Sequence, residues 1–386
     1  MRIYLDHNAT TPLDPVVADR MAQALKEVWG NASSVHHFGQ QAKAALDEAR
    51  TSVATLLSAD PSEIVFTAGG TEADNIAIRG AAEALEPSGR KHLITCAIEH
   101  EAVLQTMRAM ARRGWRVTTL PVDTSGIVSV DRLREAITDD TALVSVMHAN
   151  NEIGTVQPIA ELAAIAHEKG ALFHTDAVQS AGKLPLDVRA LGVDLLSIAA
   201  HKFYGPKGAG ALWVKRGVRL LPFMTGGRQE RNRRAGTENV PALVGLGVAA
   251  ATAAKKIATE GPRLAALRDR LETGILAAVP GTERNGAAAP RVPNTTNVSV
   301  ERVEAESLLI GLDLAGIAVS SGSACSSGTL EPSHVLKAMG YPHVRTLGSI
   351  RFSLGASNTE ADVDRVIAAL PPIVEKLRSL TTVGKR

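Results

Sequence analysis

Short apolar runs recur through the first two-thirds of the chain: IVFTA from Ile64, HLITCAI from His92, RVTTLPV from Arg116, ALVSVMHA from Ala142, ALFHTDA from Ala171, DLLSIAA from Asp194 and GALWV from Gly210. Between them, apolar residues return at helical spacing. This alternation predicts an α/β fold with a mostly parallel sheet covered by helices on both faces. Two helices are predicted ahead of the first strand, Val16–Trp29 and Gly39–Ser58, joined by the polar loop GNASSVHHFG, which could belong to a binding site. A helix Val240–Thr259 closes the sheet domain, and Gly261-Pro262 reads as a break. Beyond it come a helix Leu264–Val279, the strand TTNVSV, a helix Ala305–Leu314, the strand SIRFSL and a final helix, a smaller α+β domain.

In an open parallel sheet, loops leaving the carboxyl ends of neighbouring strands converge on one crevice. That geometry gives meaning to Asp176 and Gln179 after one strand and Lys202 after the next. A desolvated lysine shifts toward its neutral, nucleophilic form, and a buried carboxylate stabilises a protonated ring nitrogen. Pyridoxal phosphate needs that combination. An Asp capping a helix and a surface Lys explain the same residues. Gly69-Gly70-Thr71, between a strand and a helix, suits a phosphate at a helix N-terminus, or a glycine turn before a Thr-capped helix. His100 follows its strand, where it could stack on a cofactor ring and move protons, or serve as a polar loop residue. Asn150-Asn151 is either a pair of amides for a phenolate or carboxylate, or an Asn-rich turn. Arg351, alternating with apolar residues on a strand, suits a bidentate carboxylate ligand or an internal salt bridge. Cys325, in SSGSACSSGTLEPSH, is a candidate nucleophile on an exposed loop; Cys96, inside an apolar strand, reads as core.

The chain as a whole restricts the function classes. Its 386 residues suffice for two domains, and 45% hydrophobic with 21% charged residues is the composition of a soluble globular protein. With 42 basic against 40 acidic residues, nucleic acid is a poor partner. No apolar run has the ~18 residues of a membrane span, and MRIYLDHNATT lacks a signal-peptide core, so the expected location is cytoplasmic. Two distant cysteines make neither a disulfide framework nor a metal site.

Taken in order, YLDHNATT, GNASSVHHFG, FTAGGTEADN, EH at 99–100, MHANNEIGTVQPI, FHTDAVQ, AHKFYGPKG, RRAGTEN, SSGSACSSGTLEPSHVLKAMG and SIRFSLG resemble the cysteine desulfurases of the NifS/IscS type, a group of the class V aminotransferase family, nearly end to end. GGRQERNRRAGTENV and the short link from AMGYP to SIRFSLG lean toward the NifS branch serving nitrogenase. The resemblance implies a homodimeric fold-type I pyridoxal-phosphate enzyme, its large domain spanning 15–259 and its small domain 1–14 with 260–386. It implies that Lys202 binds the cofactor aldehyde, Asp176 the ring nitrogen, and Gln179 and Asn151 the phenolic oxygen, with His100 on the ring face. Gly70, Thr71 and His201 would hold the phosphate, with Thr237 contributed across the dimer, and Arg351 with Asn151 the substrate carboxylate. The expected reaction turns L-cysteine into L-alanine and leaves sulfur on Cys325 as a persulfide, for an iron–sulfur scaffold; Cys325 could also be a transient iron–sulfur ligand. Ala199 departs from the family, which places a phosphate-binding serine there. A selenocysteine lyase and a class V aminotransferase are the rival enzymes, and a non-catalytic sulfur-delivery subunit the rival from another class.

Overall fold

The computed structural model describes residues 2–286, 289–321 and 332–383. A short strand β1 (Ile3–Tyr4) precedes helices Pro15–Glu27 and His37–Leu56. Then follow β2 (Ile64–Thr67), β3 (His92–Cys96), β4 (Arg116–Leu120), β5 (Thr141–Ser145), β6 (Leu172–Asp176), β7 (Leu195–Ala199) and β8 (Gly210–Val214). These make one seven-stranded sheet in the order β2-β8-β7-β6-β5-β3-β4. Only β8 runs against the others. The fold is thus α/β with a mostly parallel sheet, as the alternating pattern predicts. Strands β5 and β7 are buried along their whole length, which is why they read as continuous apolar runs rather than alternating ones.

The long helix Val240–Ala278 differs from expectation, since it runs unbroken through Pro262. An interior proline costs a backbone hydrogen bond and about 3 kcal/mol. Packing on both sides offsets that cost. Val240, Leu243, Leu246, Ala249 and Ala250 join the apolar cluster that includes Val17, Leu46 and Val53. Past the proline, Leu264, Leu267, Leu271 and Ile275 join a second cluster with Ile3, Leu5, Ile350 and Phe352. The helix is also long and apolar enough to cross a membrane by composition, although no single short run in the sequence suggests it.

The second cluster is roofed by β9 (Thr282–Arg284), β10 (Thr295–Val300) and β12 (Ser349–Ser353), an antiparallel sheet in the order β12-β10-β9. Strand β11 (Ile317–Ala318) pairs in parallel with β1, so the N-terminal strand packs with elements from the far end of the chain. Asp6 continues this join by bridging to Ser353. The segment Asp6–Thr11 is thereby laid across the carboxyl edge of the central sheet, where Thr11 N–H donates to the His201 carbonyl (2.9 Å).

Candidate active site

Loops after β2, β3, β5, β6 and β7 meet over that edge and enclose a cavity of about 160 Å³. Its wall contains Gly70, Thr71, His100, Asn151, Asp176, Gln179, Ala199, His201 and Lys202, together with Asp74, Met147 and Val178. The residues singled out in five separate stretches of sequence thus share one space.

Lys202 ends a single 3-10 turn, Ala200–Lys202, directly after β7. Its Nζ donates to the carbonyls of Asn8 (2.6 Å) and Ala9 (2.7 Å). Burial, followed by the charge of Arg351, lowers its pKa from 10.5 to about 8, while Asp176 and Asp6 pull upward. Asp176 closes β6 with its carboxylate buried, and Oδ1 accepts from Val178 N–H (2.8 Å). Burial raises its pKa; His100 and Lys202 oppose that rise. His100 caps the helix Glu101–Arg112: Nδ1 accepts from Ala102 N–H at 3.1 Å. A ring that accepts at Nδ1 carries its neutral-form proton on Nε2. Burial, then the charges of Lys202, Lys207 and Lys183, lower the His201 pKa to about 4.

At the end of β2, the helix Gly70–Leu85 begins on Gly69, and no side chain among the described residues caps it. Thr71 is therefore inside the first turn and is not the cap. Gly69 takes φ +153° with nothing within 4 Å of an added Cβ, whereas a Cβ on Gly70 would stand 2.7 Å from Val178 Cγ2. The helix start has no side-chain cap, and its Gly70 and Thr71 line the cavity, as where helix N-termini bind phosphate.

The Asn150-Asn151 pair divides its work. Asn150 Oδ1 accepts from the N–H groups of Glu152 (2.8 Å) and Ile153 (3.0 Å), a turn; Asn151 faces the cavity. Arg351 is buried on β12 and adjoins the cavity through the Asn151 carbonyl, to which Nη1 donates (2.9 Å). Its Nη2 pairs with Asp6 Oδ1 at 2.6 Å, so the internal salt bridge exists. Its Nε is buried with no hydrogen-bond partner among the described residues, which leaves the fork a donor for a further carboxylate. Thr237 is exposed and lies away from this cavity. The loop GNASSVHHFG also lies apart, with Trp29 stacked on Phe38 beside it. Cys325 lies outside the described residues. Cys96 is buried, and its thiol donates to Glu99 Oε1 (3.1 Å).

Sequence reasoning gave no cofactor-site role to Asp6, Asn8, Asp74 or Lys183. Asp6 and Asn8 lie inside the YLDHNATT stretch, but only the fold carries them to the cavity. Asp74 lines it with Oδ1 buried and without a hydrogen bond, 3.6 Å from His174 Nε2. Its place four residues after Gly70, on one helix face, is a signal the sequence does hold.

Pyridoxal phosphate fits these residues. The cavity supplies an amine of lowered pKa, a buried carboxylate with no hydrogen-bonded cation, an imidazole and an uncapped helix N-terminus. A protonated ring nitrogen would bring the positive charge that the buried Asp176 lacks.

Comparison with known proteins agrees with this geometry. Residues 3–366 match the family model described as aminotransferase class-V. A protein of Nostoc sp. named cysteine desulfurase is 51% identical over 98% of this chain and 94% of its own length. One of Methanosarcina thermophila named cysteine desulfurase IscS is also 51% identical, over 98% of this chain and 93% of its own. Among solved structures, a NifS-like protein from Rickettsia africae superposes with a TM-score of 0.88 at 34% identity, covering 97% of this chain and 100% of that one. The chain belongs to the aminotransferase class-V family, among its cysteine desulfurases of the NifS/IscS type.

Proposed function

We propose that this protein is a pyridoxal-phosphate-dependent cysteine desulfurase that converts L-cysteine to L-alanine and passes the sulfur to its own Cys325. The convergence of Lys202, Asp176, His100 and the uncapped Gly70 helix on one cavity carries this reading, and nearly full-length identity to named cysteine desulfurases supports it. When bound, pyridoxal phosphate supplies an electron-withdrawing ring that stabilises negative charge at the substrate α-carbon.

The chain supplies everything else. Gly70, Thr71 and His201 hold the phosphate, with Thr237 reaching it from the partner in a homodimer, which accounts for its exposure away from its own cavity. Asp176 would hold the ring nitrogen in its protonated form, Gln179 and Asn151 would meet the phenolic oxygen, and His100 would contact the ring. Arg351, with Asn151, grips the substrate carboxylate. The Lys202 amine, neutral in useful amount at a pKa of about 8, takes the substrate α-proton; Nε2 of His100 is a proton donor lining the same cavity. The Cys325 thiolate attacks the substrate sulfur as the carbon–sulfur bond breaks with its electron pair on carbon. Protonation there gives alanine. The sum is L-cysteine plus the Cys325 thiol giving L-alanine plus a Cys325 persulfide. The persulfide then serves an iron–sulfur scaffold in the cytoplasm.

Peptide mass spectrometry after incubation with L-cysteine and no reductant tests this. The expected result is the mass of one added sulfur on the peptide containing Cys325; sulfur added to Cys96 alone, or to neither cysteine, refutes it.

A further inference from the structure

Beside the cavity, lining a neighbouring pocket together with Lys202, is a second lysine that the mechanism leaves idle. Lys183 follows Gly182, whose φ is +73° and whose added Cβ would stand 2.5 Å from Phe203 Cβ. That close turn sets Lys183 beside Lys202's own loop. The Lys183 amine donates to two side-chain carbonyls, Gln179 Oε1 (3.0 Å) and Asn8 Oδ1 (3.2 Å).

Both amide orientations are settled by backbone groups. Gln179 Nε2 lies 2.9 Å from the Asn8 carbonyl, and Asn8 Nδ2 lies 3.1 Å from the Asn151 carbonyl. A carbonyl only accepts, so the nitrogen of each amide must face it and the oxygen of each must face Lys183. The same Asn8 carbonyl accepts from Lys202 Nζ. Gln179 is buried on the cavity wall, and Nε2 retains a second N–H. Turning that amide over would oppose two oxygens at Asn8 and leave Lys183 facing an NH₂ group.

We propose that Lys183 is a positioning residue of the cofactor site, holding the Gln179 amide in the orientation that presents N–H rather than C=O to the cavity. The proposal rests on the cofactor role given to Gln179 above. No carboxylate pairs with Lys183 among the described residues. Lys202 and Arg351 face it as like charges and, after burial itself, depress its pKa; His7 and His201 feel its charge in turn. An N–H directed at a phenolic oxygen stabilises its ionised form and eases loss of the adjacent proton. Loss of the Lys183 bridge leaves the Asn8 carbonyl alone to hold the amide, which loosens its orientation and makes that proton harder to remove.

The test reads the pH midpoint of the absorbance change of the bound cofactor in the holoenzyme. Lys183→Met is expected to move it upward by roughly one pH unit, a tenfold change of the size set by one hydrogen bond to a charged group. Lys183→Gln loses the charge but keeps an N–H donor for Oε1, and is expected to stay near the parent. It also keeps the test open if the methionine variant does not fold. An unmoved midpoint in Lys183→Met, or equal shifts in the Met and Gln variants, overturns the proposal, the latter because charge alone then acts. Gln179→Ala distinguishes the layers: a midpoint unmoved there refutes the cofactor role of Gln179 itself, and with it this inference. A midpoint raised there, with Lys183→Met adding nothing further in that background, is the expected outcome.

Discussion

At the scale of single residues, environment decides reactivity. A fall in the Lys202 pKa from 10.5 to about 8 raises the fraction of neutral amine at neutral pH roughly 300-fold. A raised carboxylate pKa at Asp176 and a lowered lysine pKa at Lys202 have the same first cause, burial, acting on opposite charges. Uptake of pyridoxal phosphate by the apoprotein is therefore expected to quicken as pH rises through about 8, the range in which the amine sheds its proton. A rate still climbing toward the ordinary lysine value would show that the amine is solvated. Ala199 lines the cavity, its Cβ 3.6 Å from where a Cβ on Gly70 would stand. Ala199→Ser is expected to tighten cofactor retention by roughly 1.5–3 kcal/mol, the worth of a hydrogen bond to a charged group, measured as the cofactor dissociation constant; no gain would mean that the phosphate lies elsewhere. These residue types were legible because chemistry restricts them to few choices. Lys183 and Asn8 were not, since their importance lies in what they touch: Asn8 is bonded to Lys202, Gln179, Lys183 and Asn151 at once, and no local pattern encodes that.

At the scale of elements, the strand ends and one helix start do the positioning. Gly70 is a steric requirement, with Val178 filling the place of any side chain. Gly70→Ala is expected to weaken cofactor binding sharply, and Val178→Ala in the same chain to restore much of it by removing the obstructing methyl; a double variant as weak as the single one would contradict the steric account. Glu272, on the long helix, binds Arg284 on β9, Thr296 on β10 and Arg291 in the link between those strands. Burial alone would raise its pKa, but bonds to Arg291, Thr296 and Arg284 outweigh it and hold the value at about 2. A folded-state pKa below the unfolded 4.5 contributes stability that is present above pH 4.5 and lost as pH falls toward 2. Glu272→Gln should cost about 2 kcal/mol at pH 7, allowing for solvent screening, and progressively less in denaturant unfolding at acid pH. A cost independent of pH would point to packing instead. The strands of the large sheet were legible because buried parallel strands read as bare apolar runs. The helix break at Gly261-Pro262 was misread because proline's local penalty is visible in sequence, whereas the two apolar clusters that outweigh it are assembled from residues hundreds of positions apart.

At the scale of the molecule, the first eleven residues tie the two apolar bodies together over the cavity. β1 pairs with β11, Asp6 holds Arg351, and Asn8 with Ala9 receives the Lys202 amine. Arg351, proposed to hold the substrate carboxylate, and Lys202 therefore answer to the same short segment, though they are far apart in sequence. Motif order revealed that these stretches belong to one enzyme type; only the fold revealed that an N-terminal segment of a few residues joins them. The central claim concerns the whole reaction, and alanine release tests it most directly. Holoprotein and its Cys325→Ala variant are each given L-cysteine without reductant, and alanine is quantified. The account expects alanine from the parent, with a persulfide on the protein, and neither from the variant. Equal alanine from both would remove Cys325 as the sulfur acceptor and contradict the account.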